Sequence, residues 1–95
     1  MIIGCGKVYL LADWCHSLKE KRTVVKSIIS RIKNKFNVSI SEVEDNDLHN
    51  SIVIGFVCVS SDTRHVQSML QAVVDYIDNN FETVIVDSHI EIFWY

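Results

Sequence analysis

The chain has 95 residues, of which 48% are hydrophobic, and its formal net charge is −3. A chain this short provides one domain, here residues 1–95, and its apolar content excludes wholesale disorder. Its longest apolar run, Ile52 to Val59, is far shorter than the roughly 20 residues of a membrane-spanning helix.

The first half of the chain predicts a strand, a helix and a second strand. Residues 1–12 carry β-branched side chains and predict the first strand, which residues 13–16 connect to the helix. Ser17 and Glu20 have the spacing of a capping box, in which each side chain bonds the other residue's backbone amide. A helix over residues 18–36, ending at Asn37, follows from apolar residues at helical spacing: Leu18, Val25, Ile28, Ile29, Ile32 and Phe36. Residues 38–44 alternate and predict the second strand, before a polar turn at residues 45–47.

The second half predicts a strand, a helix and a final strand. Residues 51–60 are almost continuously apolar, which is typical of a central strand. Ser61 or Asp62 caps a second helix that closes at residues 79–80, and its apolar stripe is Val66, Met69, Leu70, Val73, Ile77 and Phe81. Residues 83–95 predict the last strand, with a break near residues 87–88.

The resulting order, β-α-β-β-α-β, predicts an α+β ferredoxin-like sandwich. Right-handed crossovers then place both helices on one face of a four-stranded antiparallel sheet, in the spatial order 4-1-3-2. The alternative is a small α/β fold with a different strand order.

Two glycines of the first strand, Gly4 and Gly6, share one face of the sheet by the period-2 rule. Glycine inside a strand marks a close approach of another group to the backbone. We expect a helix to pack tightly there; the alternative is a ligand that approaches the backbone.

Charge is concentrated in the first predicted helix. Seven of the nine basic residues lie there with one acid, so this helix carries +6 and the rest of the chain −9. One interpretation is attraction between this helix and the acidic second helix. The other is a phosphate-binding surface at the helix start, where backbone amides are free and the side chains lie off the apolar stripe. The candidate anion- or RNA-binding residues are His16, Ser17, Lys19, Lys21, Arg22 and Lys26.

The central strands are apolar on both faces, whereas two helices can cover only one. An exposed apolar face of this size indicates a partner, and we expect a homodimer, or a higher oligomer, through the open face or its edge. The candidate dimer-face residues are Ile3, Tyr9, Ile54, Phe56, Phe93 and Tyr95. The alternative is stacking of RNA bases on Tyr9 and Phe56.

The sequence offers no convincing catalytic or metal-binding set. Cys15 near the helix start could have a lowered pKa with His16 as its base, although neighbouring residues seldom form the required hydrogen bond. The histidines lack metal-ligand spacing, so we expect no metal and no cofactor. Three cysteines without a CxxC motif, and an amino terminus without a basic leader, predict a cytoplasmic protein without disulfides or signal peptide.

Several segments carry a family resemblance. The opening MIIG, HSLKEKR at residues 16–22, FNVSISEV at residues 36–43, and VSSD at residues 59–62 resemble the YlxP-like family of small uncharacterised bacterial proteins. The resemblance implies a ferredoxin-like fold in a bacterial cytoplasmic protein. This family is often encoded beside translation and ribosome-maturation factors, which points towards RNA.

Together these observations favour a non-enzymatic binding module that associates with RNA or the ribosome through its basic first helix. We expect no membrane partner and no DNA partner. The alternative is a dimeric regulatory domain of ferredoxin-like fold that binds a small molecule.

Overall fold

The computed structural model describes all 95 residues, Met1–Tyr95. The elements are β1 (Ile2–Leu11), α1 (Leu18–Lys35), β2 (Ser39–Glu44), β3 (Ser51–Ser60), α2 (Thr63–Asn80) and β4 (Val84–Trp94). Neither helix is long and apolar enough to cross a membrane.

The four strands form one antiparallel sheet in the order β2-β3-β1-β4. Both helices cover the same face, because one buried core joins Ile28 of α1 and Leu70 of α2 to Val8 of β1 and Ile54 of β3. The order and the layers confirm the predicted ferredoxin-like α+β sandwich. The face without helices is called the open face below.

Side-chain caps fix the start of each helix. The Ser17 hydroxyl accepts from the Glu20 amide at 3.1 Å, as the capping box predicts. The Glu20 carboxylate, however, accepts from the His16 amide at 3.4 Å instead of from the Ser17 amide. Asp62, one of the two predicted caps of α2, accepts from the Arg64 amide at 3.0 Å.

The final strand is more continuous than the sequence predicts, although it is one residue shorter at each end. β4 runs unbroken through residues 87–88, and its irregularity is a bulge at Val86, between Ile85 opposite Leu10 and Asp87 opposite Tyr9. One extra residue in a bulge bends a strand without ending its pairing, so the predicted break is wrong.

The two glycines of β1 lie beneath bulky core side chains. A Cβ atom on Gly4 would come within 2.3 Å of Val66 Cγ1 in α2, and one on Gly6 within 2.4 Å of Phe56 Cζ. The expected tight helix packing is therefore confirmed at Gly4. At Gly6 the close neighbour is an aromatic ring of the adjacent strand.

Two of the predicted open-face residues lie on the other side of the sheet. Ile54 and Phe56 are buried beneath the helices, so their assignment to the open face is wrong, and Phe56 is not available to stack on a base. The residues of β3 that point to one side of the sheet are as apolar as those that point to the other. The sequence of this strand therefore does not indicate which side meets the helices. Ile3 and Tyr9 belong to the β1 residues that alternate with the buried ones, and both are half-buried. Phe93 and Tyr95 are exposed.

Candidate functional site

One flank of α1, on the side away from α2, forms a shallow basic groove. Its lining combines three cations, two uncharged polar side chains and two apolar ones: Arg22, Lys26, Lys33, Ser30, Asn34, Val25 and Ile29. We call this surface the basic flank and include in it the exposed Lys19, which the helical period places on the same side. No carboxylate lines the groove, and none of these four cations forms an ion pair.

Lys21 does not belong to this surface. Its side chain is 1% exposed, and its ammonium lies 2.8 Å from Glu42 Oε2 of β2. That contact is ionic, since its angles fall outside hydrogen-bond geometry, while the Asp45 carbonyl accepts a hydrogen bond from the ammonium. The expectation that Lys21 is exposed and binds an anion is wrong, because it neutralises Glu42 and holds the turn after β2.

The start of α1 is also occupied from within the chain. The Ser17 hydroxyl and the Glu20 carboxylate cap the first turn, and Glu20 brings a negative charge to the end where an anion would bind. Of the six predicted anion-binding residues, Lys19, Arg22 and Lys26 therefore lie exposed on the basic flank. His16 and Ser17 are exposed at the capped terminus.

The opposite flank of α1 contacts aromatic rings instead of acids. The Arg31 guanidinium lies 4.6 Å from the ring centroid of Phe81 and donates to the Asn80 carbonyl at 3.4 Å. Lys35 Nζ lies 5.6 Å from the ring centroid of Tyr76. No ion pair joins α1 to α2, and at this flank the cations of α1 contact aromatic rings and a backbone carbonyl of the α2 side instead.

The open face contains a second concavity of about 620 Å³. Lys7 crosses it and contacts Glu44 at 2.6 Å, and hydrogen bonding to Glu44 raises the pKa of Lys7 above its usual value. Further along the wall, His89 contacts Asp87 at 3.1 Å and lies edge-on to the ring of Tyr9. This groove carries both signs of charge, in contrast to the basic flank.

The cysteine near the start of α1 is a core residue. Cys15 is buried, burial raises the pKa of its thiol, and the Glu20 carboxylate raises it further. A raised pKa leaves less of the nucleophilic thiolate at neutral pH, so the lowered pKa considered from the sequence is wrong. No three His, Cys, Asp or Glu side chains lie together as a metal-binding group.

We expect a thiol reagent at neutral pH to label one cysteine per folded chain rapidly. That residue is Cys5, half-buried on the open face, because burial raises the pKa of both Cys15 and Cys58 and shields them. Timed labelling followed by peptide mass spectrometry measures the order, and unfolded chain should label at all three positions. Labelling of Cys15 as fast as Cys5 would contradict the buried placement.

The sequence candidates omitted part of the basic flank. Lys33 lies seven residues after Lys26, which is two helical turns and hence the same side of the helix. Ser30 and Asn34 lie between these cations and add uncharged hydrogen-bonding groups to the groove. The seven-residue spacing of Lys19, Lys26 and Lys33 already places these cations on one flank of the helix, but the candidate residues were restricted to the helix start and ended at Lys26.

Comparisons with known proteins agree with the resemblance noted above. Residues 3–90 match the family described as "Protein of unknown function (DUF503)". A relative in Bacillus subtilis (strain 168), the uncharacterised protein YlxP, is 46% identical over 78 residues, which cover 82% of this chain and 85% of the relative.

Proposed function

The chain belongs to the DUF503 family, whose function is unknown, and from its own surfaces we propose a non-enzymatic domain that binds the phosphate backbone of RNA along the basic flank. One observation carries the proposal: exposed cations and uncharged hydrogen-bonding groups line a groove that no carboxylate enters.

The composition of the groove suits a nucleic-acid backbone. Arg22 can hold a phosphate through two parallel hydrogen bonds, and Lys26 and Lys33 supply point charges on either side of Ser30. Hydroxyl and amide groups such as those of Ser30 and Asn34 commonly bond phosphate and sugar oxygens, including the 2′-hydroxyl that distinguishes RNA. The half-buried Ile29 adds an apolar floor for a sugar or a base edge.

The length and the surroundings of the basic flank limit the contact. From Lys19 to Lys33 the helix rises about 21 Å, at roughly 1.5 Å per residue. The chain outside α1 carries net negative charge and would repel a duplex that wrapped around the domain. The proposed ligand is therefore a single-stranded segment or loop of RNA that meets about four cations.

Neutralising the basic flank should weaken RNA binding and its dependence on salt. With four phosphates neutralised, log affinity for single-stranded RNA should fall by about 2.8 per tenfold rise in salt. The variant Lys26→Ala/Lys33→Ala removes two of these contacts, so we expect the slope to fall to about half. Fluorescence anisotropy with a labelled single-stranded RNA, titrated at several salt concentrations, measures both quantities.

The matched control is Lys7→Ala/Arg64→Ala, which also changes the net charge from −3 to −5 but leaves the basic flank intact. We expect this control to keep the slope of the parent, apart from a small general effect of net charge. Equal loss of affinity in both variants would show that binding follows net charge alone. Loss only in the control would place the RNA contact at Lys7 or Arg64, away from the basic flank. Either result contradicts the proposal.

A second candidate function is small-molecule binding in the open-face groove. The 620 Å³ concavity, with Lys7, Tyr9 and His89 along its walls, favours it. Two results together would support this candidate. A small charged molecule would raise the melting temperature of the parent but not of a Lys7→Ala variant, and the parent would show no affinity for RNA.

A further inference from the structure

The sheet has two edges, and the chain protects one of them less than the other. The β2 edge is six residues long, contains a bulge at Val43 and carries serines and glutamates. The β4 edge is eleven residues long, carries the acids Asp87 and Glu91 but no lysine, arginine or proline, and has its one bulge near its start. Short length, bulges and inserted charges are the usual defences of an edge strand against pairing with another chain. β4 has few of these defences.

The exposed apolar residues of β4 lie on an ordered backbone. The amino group of Met1 donates to the Tyr95 carbonyl, and the Tyr95 amide donates to the Met1 carbonyl, each at 2.8 Å. The pairing with β1 thus continues to the last residue. Trp94 is nevertheless 71% exposed, so backbone hydrogen bonds, and not a contact of its side chain within this chain, hold the end of β4 in place.

The spacing of these residues is self-complementary. Val86, Ile90 and Trp94 are all exposed and stand four residues apart, so antiparallel pairing of two β4 strands about Ile90 places Val86 opposite Trp94 and Ile90 opposite itself. The same register places His89 opposite Glu91 of the other strand, an attractive pair. Pairing about His89 instead would place Asp87 opposite Glu91, two acids, which is destabilising.

We propose that β4 pairs with β4 of a second copy of this chain about a twofold axis through Ile90, which forms a continuous eight-stranded sheet. This interface satisfies the free backbone groups of the edge and covers the exposed Trp94. It is independent of the proposed RNA contact, because α1 packs over β2 at the opposite side of the sheet and its basic flank stays exposed.

Cysteine cross-linking tests the register. Only the residue on the twofold axis faces its own copy, so Ile90→Cys, in a Cys5→Ser background, should form an interchain disulfide under mild oxidation of dilute protein. Ser88→Cys is the matched control: it would face residue 92, and its two copies would lie about 13 Å apart, at roughly 3.3 Å per residue. Equal cross-linking of both variants, or none for Ile90→Cys, would overturn the proposed register.

The interface itself is tested by Ile90→Lys, with Val57→Lys on the open face as its control, since the two side chains are 38% and 42% exposed. Light scattering after size exclusion should give a dimer for the parent and for Val57→Lys, and a folded monomer for Ile90→Lys, with circular dichroism confirming the fold. If Ile90→Lys does not fold, slowed amide exchange of β4 with rising concentration of the parent provides the same test. A monomeric parent at high micromolar concentration, or a dimer that only Val57→Lys disrupts, would overturn the proposal.

Discussion

Replacing Lys21 with methionine should lower the free energy of unfolding by about 3 kcal/mol, the scale found when one partner of a buried ion pair is removed. Methionine retains the bulk of the side chain but leaves the Glu42 carboxylate without its cation and the Asp45 carbonyl without its donor. Urea denaturation followed by circular dichroism measures the loss.

Two further variants separate the ion pair from general effects on α1. Lys19→Met removes the same charge two residues earlier, from an exposed position. We expect its free energy of unfolding to stay within about 0.5 kcal/mol of that of the parent. Adding Glu42→Gln to Lys21→Met should recover part of the loss, because the uncompensated charge is gone. If Lys21→Met is as stable as Lys19→Met, the buried placement of Lys21 is wrong.

Placing a methyl group on Gly6 should destabilise the domain by about 2 to 3 kcal/mol, the range for an overpacked core. The new Cβ atom would lie 2.4 Å from Cζ and 2.5 Å from Cε2 of Phe56, a ring that is itself fully buried. Gly4→Ala should behave similarly, because the β-branched Val66 in α2 has little freedom to rotate away. Equilibrium unfolding of the two variants measures both effects.

Gly55→Ala is the matched control on the open face. Its Cβ atom would meet Val43 Cγ1 at 2.9 Å, but Val43 is an exposed side chain of an edge strand and can shift. Alanine also restricts the unfolded chain more than glycine, which favours folding. We expect the free energy of unfolding of Gly55→Ala to differ from that of the parent by less than about 1 kcal/mol in either direction. A loss equal to that of Gly6→Ala would mean that the strand conformation, and not the close packing, requires glycine.

The elements of this fold were predictable because their signals are local. The apolar stripe through Val25, Ile28 and Ile32 defines α1, and the Ser17 hydroxyl caps it as expected. Alternation and turn residues likewise predicted the strands, and the order of elements with right-handed crossovers gave the sheet order. Only details that depend on pairing were missed, such as the bulge at Val86 that replaces the expected break in β4.

The candidate site was less predictable, because burial of a charged residue depends on a distant partner. The helical period places Lys21 on the same side of α1 as Val25, Ile28 and Ile32, and this spacing indicates burial. A lysine in that phase is ordinarily assigned to solvent, since burying an unpaired ammonium is costly. Its partner Glu42 lies in β2, and no residue next to Lys21 in the sequence indicates that this pair forms.

The sequence by itself determined the elements of this protein, the residues that share each face of them and the concentration of positive charge in one helix, because all three follow from backbone periodicity and composition. Tertiary structure alone decided which set of apolar residues in β3 meets the helices, which cations stay in solvent and which strands become the edges of the sheet. These outcomes depend on what the rest of the chain places against each face. Lys21 and Lys19, two residues apart in one motif, therefore have opposite environments.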